Sequence, residues 1–362
     1  MPGPDDLRPD DLRPDDLPAD DLPADDLPAD DLPADDLPAD DLPADDEAPA
    51  RLARVLARVA RAARDAVRED RSACADDDRA VLRVEGGDEV FGVDERADSA
   101  LLEGFAKLIG PRWPGLLVME GHDEPLTVGT GKGPWRYLVD PLDGTRPYLA
   151  GKRSAWILIG AGRHAETLED LELGVAVEVP TERVDRGVVA WATTVGEPHV
   201  LDEDLRGGRR RSRRVTLRPR RGAIVDRSFV TVARFAPGAK AVIGAWEDRL
   251  LAGLEVYEDP WLCTGGLLMG LASGSDAAVL DPRPLLAPGT MAAHPYDLAA
   301  LVIARAAGVV VESLPPGPLA VALDPHADVA WAGYANAEIA AMMRSRLSSV
   351  QPPSQAGARS SR

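Results

Sequence analysis

Cysteine is nearly absent from this chain: two in 362 residues, Cys74 and Cys263, far apart and in no metal-ligand spacing. A disulfide framework would need more of them, so a reduced, intracellular setting is expected. Histidine is scarce as well, and its five copies (His122, His164, His199, His294 and His326) show no zinc spacing. Neither a G-x-S-x-G nucleophile nor a P-loop lysine motif occurs. The N-terminus lacks the apolar core of a signal peptide, and no apolar run is long enough for an uninterrupted membrane span. The longest, "DLAALVIARAAGVVV", starts on Asp297 and is broken by Arg305. These absences predict a soluble cytoplasmic protein with no membrane partner.

Acid is abundant but unevenly placed. The net charge is −20, yet residues 1–47 hold 19 acids and two arginines, and the remainder holds 42 acids against 39 bases. From Asp5 the chain repeats "DDLRP" twice and then "DDLPA" six times, to Ala44. Each unit offers one leucine for burial, and proline blocks a continuous helix or strand ladder. Residues 1–47 therefore read as a disordered, extended acidic tail, either idle or partner-binding. With 45% hydrophobic residues, the rest of the chain can bury one large core or two smaller ones.

In "APARLARVLARVARAARDAVRED", Leu52, Val55, Leu56, Val59, Ala63 and Val67 recur at helical spacing. Arg51, Arg54, Arg58, Arg61 and Arg68 occupy much of the remaining surface. The apolar face is made largely of small residues, which suits packing on a core better than lying on a membrane. "VEGGDEVFGVD" reads as a hairpin leading into a helix from Glu95 to Ile109. "GLLVME", "WRYLVD", "SAWILIGAG", "ELGVAVEVP" and "DRGVVAWATT" read as strands. From about Gly222 strands and helices alternate. An α+β half (about 48–221) followed by an α/β half (about 222–347) is expected, with a frayed tail at 348–362. "RGGRRRSRRVTLRPRR" (206–221) holds nine arginines and no acid. It lacks aromatics for base stacking, so it reads as a solvated insertion loop rather than a nucleic-acid site.

The segment "DPLDGT" (140–145) carries the chemistry. Asp-Pro and Asp-Gly are common turn dipeptides, so a strand followed by a plain loop is the first reading. The alternative gives each residue a task. Asp140 ends a strand, Pro141 stiffens a turn, and Asp143 returns towards Asp140, giving two hard carboxylates for Mg²⁺. Gly144 and Thr145 open the next helix, where backbone N–H groups bind phosphate. Glu120 ends a preceding strand, and Asp297 in "HPYDLAA" stands on the first turn of an apolar helix, where it could be a cap or a further ligand.

With "DPLDGT", Glu120 and "HPYDLAALVIARAAGVVV" (294–311) together, the chain resembles the inositol monophosphatase family of Mg²⁺-dependent, lithium-sensitive sugar-phosphate phosphatases. Weaker support comes from "GVDERAD" (92–98) and "CTGGLLMGLASGSDAAV" (263–279), so the likeness spans roughly 48–347. The resemblance implies a layered α-β-α-β-α sandwich of the inositol monophosphatase/fructose bisphosphatase type. It implies a phosphoric monoester hydrolase acting on a small polyol or sugar phosphate by two-metal activation of water, with two or three Mg²⁺ ions. Glu120, Asp140, Asp143, Asp297 and the Leu142 carbonyl would be metal ligands, with Glu120 also catalytic. Gly144 and Thr145 would hold phosphate, and Thr145 with Asp94 would orient the attacking water. Asp281 and His294 fall on the substrate side, with a structural Asp-Pro turn and a role at the helix start as their alternatives. Arg283 could contact hydroxyls or a second anionic group.

Departures from the family pattern are Gly121 in place of a second Glu, Tyr296 in place of Trp, Ala306 in place of an acid, and Val309 in place of a Gly. The segment "DPRPLLAPGTMAA" before His294 is also longer and richer in proline. The rival reading is a non-catalytic relative that binds a ligand or polyanion through the arginine run; a full set of metal carboxylates argues against it. Nucleic acid is disfavoured as a partner, and homodimerisation is left open.

Overall fold

The structure is a computed structural model and describes residues 48–69, 81–85, 88–206, 211–236, 238–261, 263–286 and 292–352. The acidic repeat, Cys74, residues 207–210 of the arginine run and the final 353–362 lie outside the described residues.

Helix α1 (Ala48–Glu69) takes the predicted register: Leu52, Leu56, Val59, Ala63 and Val67 are all buried. Arg61 departs from expectation, because it is buried with Arg64 around the carboxylate of Glu203. The hairpin of β1 (Val81–Glu85) and β2 (Asp88–Phe91) leads into α2 (Gly92–Gly104), which starts before Glu95 and continues through a π turn to Ile109. That earlier start sets Asp94 at the third helical position, where its Oδ2 accepts the Phe91 amide at 2.8 Å.

Eight strands form the large sheet: β3 (Gly115–Met119), β4 (Leu126–Val128), β5 (Trp135–Asp143), β6 (Ala155–Arg163), β7 (Leu173–Val179), β8 (Arg186–Thr193), β9 (His199–Asp204) and β10 (Arg211–Val215). Their order is β10-β9-β8-β7-β6-β5-β3-β4, antiparallel except where β3 runs alongside β5. Near-continuous apolar runs mark β5, β6 and β7 because both faces of the sheet are covered. On β6, Ile157 and Ile159 face the core under α1 and α2, while Trp156 and Leu158 face the opposite core. The arginine run is thus no insertion loop: Arg211–Val215 pairs with β9 as an edge strand.

The second sheet has the order β11-β12-β14-β13, from β11 (Phe229–Val232), β12 (Asp276–Asp281), β13 (Val310–Ser313) and β14 (Trp331–Tyr334). Between the sheets lie α5 (Thr264–Ser273) and α7 (Leu301–Ala306). Helix α5 is buried almost all round, as an element sandwiched between two sheets must be. Helix α8 (Ala337–Ser349) covers β14 from outside, so the chain stays ordered two residues beyond the expected Leu347 boundary. The stack reads α-β-α-β-α. No helix among the described residues is long and apolar enough to cross a membrane.

Candidate active site

Asp140 and Asp143 are three residues apart on one strand, so regular alternation would point them to opposite faces. The register of β5 against β6 shifts between them, a bulge that turns both acids to one side. Pro141, which has no N–H for a ladder, sits within that irregularity. The strand therefore runs through to Asp143, and a bulge does what the sequence suggested a turn would do. Carboxylate oxygens of Asp140, Asp143 and Asp297 lie within 4.8 Å of one another.

Each acid is held from its own element. Asp140 Oδ1 accepts the Leu142 amide at 2.9 Å. Asp143 Oδ2 accepts the Gly265 amide at 2.5 Å and the Cys263 thiol at 3.3 Å, placing it against the N-terminus of α5. Asp297 belongs to a 3-10 turn, Pro295–Leu298, and accepts the His294 amide at 2.5 Å. That turn rests on β6 and β5, where Gly160 leaves room for it: a Cβ there would lie 2.8 Å from the Ala299 carbonyl oxygen. Glu120 follows β3, its amide donating to Val139 at 3.1 Å, and its side chain hydrogen-bonds Asp140.

Thr145 opens α3 (Thr145–Leu149), after Gly144 at φ 85°. Its Oγ lies 2.7 Å from Asp94 Oδ1 and 2.7 Å from the Leu142 carbonyl oxygen. One hydroxyl proton cannot fully serve two acceptors, so the threonine proton is shared between the carboxylate and the carbonyl.

A cavity of about 380 Å³ gathers Asp94, Glu120, Asp140, Leu142, Asp143, Gly144, Thr145, Asp281 and Asp297 on its walls. His294 is not among its lining residues: its Nδ1 lies 2.9 Å from the Ala327 carbonyl oxygen and its ring stacks on Tyr296. Asp281 is engaged at both oxygens by Arg283.

Burial raises Asp140 well above the usual carboxylate range, and the charges of Glu120, Asp143 and Asp297 add to it. Asp143 is raised likewise, by burial first and Asp297 second, with the Gly265 amide partly offsetting them. Burial, then Asp143, also pushes the Cys263 thiol up, so it serves as a hydrogen-bond donor rather than a nucleophile. Sequence reasoning missed Cys263 and Gly265 as supports of Asp143. The signal was "CTGG" ahead of an apolar helix, where a cap side chain and free amides are expected.

Fold and site together define a five-layered, mixed α+β protein with a carboxylate-lined cavity between its sheets. Several of the solved structures it resembles are phosphatases by name. Fructose-1,6-bisphosphatase of Leishmania major superposes with a TM-score of 0.62 at 13% identity, over 81% of this chain and 93% of that one. The extragenic suppressor protein SuhB of Bartonella henselae gives 0.58 at 17% identity, over 81% and 97%. Inositol monophosphatase from Anabaena gives 0.55 at 14%, over 83% and 96%. The chain therefore has the inositol monophosphatase/fructose-1,6-bisphosphatase fold. No family model matches the sequence. A curated glucose-1-phosphate thymidylyltransferase of Streptomyces griseus is 35% identical over 115 residues, and the match spans 41% of that protein and 30% of this chain.

Proposed function

We propose that this chain is a member of the inositol monophosphatase family, a Mg²⁺-dependent phosphomonoesterase that hydrolyses a small polyol or sugar phosphate. The observation that carries this reading is the convergence of Asp140, Asp143 and Asp297 to within 4.8 Å in a cavity that also holds the Asp94–Thr145 pair.

The donor set fits the ion. It is all oxygen and carboxylate-rich, and burial first, then repulsion among the acids, raises Asp140 and Asp143. Glu120, Asp140, Asp143, Asp297 and the Leu142 carbonyl would hold Mg²⁺. When bound there, the metal supplies charge for the phosphoryl oxygens and a water of lowered pKa. The chain's own groups do the rest. Thr145 Oγ accepts a proton from the attacking water and relays its own to Asp94 Oδ1. The amides of Gly144 and Thr145 orient the phosphate, and the cavity walls hold the ester in line for displacement.

The rival, polyanion binding through the arginine run, is weakened by ion pairs within that edge: Arg213 with Asp202 at 3.2 Å and Arg206 with Asp204 at 2.8 Å. Phosphate release from a panel of polyol, sugar and nucleotide monoesters, with and without Mg²⁺, tests the proposal. Metal-dependent release from at least one member is expected; silence across the panel would overturn the catalytic reading.

A further inference from the structure

The cavity that holds the acids is also lined by Pro147, Phe235, Pro260 and Trp261. Phe235, between β11 and α4 (Lys240–Leu250), is 48% exposed, and Pro260 is exposed as well. Trp261, three residues ahead of α5, is half-buried and packs on the core beneath it.

The indole is fixed from two directions. The Arg153 guanidinium lies over its ring, 5.5 Å from the centroid, and is itself paired with Asp259. The ring edge at Cη2 and Cζ3 lies against Gly266, where a Cβ would come within 2.4 Å of Cη2. Only the missing side chain at 266 lets the ring sit so close to α5. Two residues beyond Trp261, the Cys263 thiol donates to Asp143 Oδ2 at 3.3 Å, so one short segment ties the ring to an acid of the cluster.

Two of the cations on the cavity wall are already committed. Arg234 pairs with Glu247 of α4 at 3.2 Å and with Glu258. Arg283, which opens α6 (Arg283–Leu286), is held at two points by Asp281. The tryptophan offers apolar surface instead. A rigid ring partly open to a cavity gains most from a flat apolar partner, whereas hydroxyls turned towards it would give up hydrogen bonds to water.

Resting on the phosphatase reading above, we propose that Trp261 is a specificity-determining residue: the alcohol of the ester carries a ring, and a hydroxyl-poor face of that ring packs on the indole. Selection is then by flat apolar area, over and above the number of hydroxyls.

The test compares three monoesters of equal charge, all of primary alcohols, on the full chain: ethyl, cyclohexylmethyl and benzyl phosphate. The cyclohexyl ring presents C–H groups, as a sugar ring does, and the benzyl ring presents a π face. Affinities are measured by calorimetry with Ca²⁺ in place of Mg²⁺, so that no turnover is needed. At least one ring ester should bind roughly tenfold more tightly than ethyl phosphate, and the responding ester identifies the kind of face. Trp261→Ala should bring that ratio close to one by weakening the ring ester. Because this variant opens a gap beside Gly266, Trp261→Leu, which keeps apolar bulk but no flat ring, is measured with it and should lower the ratio about threefold or more. No preference for either ring ester, or a preference undiminished in Trp261→Leu, would overturn the assignment. Equal weakening of all three esters would do the same, by assigning Trp261 to the phosphate end of the site. Phosphate release under Mg²⁺ is scored separately. Preference without release sinks the phosphatase reading alone, and release without preference sinks the role of Trp261 alone.

Discussion

Thr145 Oγ and Asp94 Oδ1, 51 residues apart in sequence, lie 2.7 Å apart at the mouth of the acid cluster. Asp94 is fixed at its other oxygen by the Phe91 amide, so it cannot turn away from the threonine. If this pair relays a proton, Thr145→Val should lower kcat by ~100-fold or more with little change in Tm. Asp94→Asn should do the same. A variant of either kind with near wild-type kcat would remove the relay.

Asp143→Asn tests the metal cluster and its pH dependence together. Activity should fall by ~100-fold or more, since the loss of even an outer partner of a metal ligand costs 10–100-fold. The folded pKa values of Asp140 and Asp143 are raised by burial and mutual repulsion above the ordinary value of 3.8. Their contribution is therefore fully present below that value and is lost as pH rises through the raised ones. In chelator the protein should lose stability over that rise, and Mg²⁺ should restore it. The Tm gap between Mg²⁺ and EDTA should widen from pH 5 to pH 8, and widen less in Asp143→Asn. A gap independent of pH would contradict the assignment.

Glu203 is fully buried between Arg64, at 2.8 Å, and Arg61. Removing its charge takes the ion-pair partner from buried Arg61 and leaves Arg64 with only Asp65, at 3.2 Å. Glu203→Gln should cost roughly 3–5 kcal/mol by denaturant unfolding, with kcat/KM unchanged well below the transition. A loss under 1 kcal/mol would mean that the arginines find other partners.

These three sites differ in how far the sequence announced them. Asp140, Asp143 and Thr145 stand within six residues, so local spacing carried most of their chemistry. Asp94 was legible only by resemblance, and its bond to Thr145 depends on how α2 meets β5. The Arg61–Glu203 pair joins residues 142 apart, and nothing around Arg61 distinguishes it from its solvated neighbours. Strands β9 and β10 were missed for a related reason. "HVLDED" and "RSRRV" lack an apolar alternation, and charge pairs such as Arg213–Asp202 cross between them instead. Asp281 was placed at the site, but only the folded geometry shows that Arg283 covers it.

Residues 1–47 carry a net charge of −17 and precede α1 directly. Arg211, Arg214, Arg218 and Arg221 are exposed on and after β10. Coulomb attraction between the two should hold at low salt and fade as the screening length shortens to about 8 Å at physiological ionic strength. Deleting 1–47 should delay elution from heparin at low salt, with little change in turnover of small substrates. Identical elution would show that the acidic repeat does not screen these arginines.

Gly160 gives the clearance on which the cluster depends. Its missing side chain is all that separates the sheet from the backbone two residues beyond Asp297, 2.8 Å from where a Cβ would sit. One methyl group there must lift the turn, and with it one carboxylate out of the shared ligand set. Gly160→Ala should then weaken Mg²⁺ binding about 10–100-fold in calorimetry, without altering any atom that could touch the ion. The affinity of the site is in this sense written into the thickness of a layer, at a position where a search for polar residues would never look.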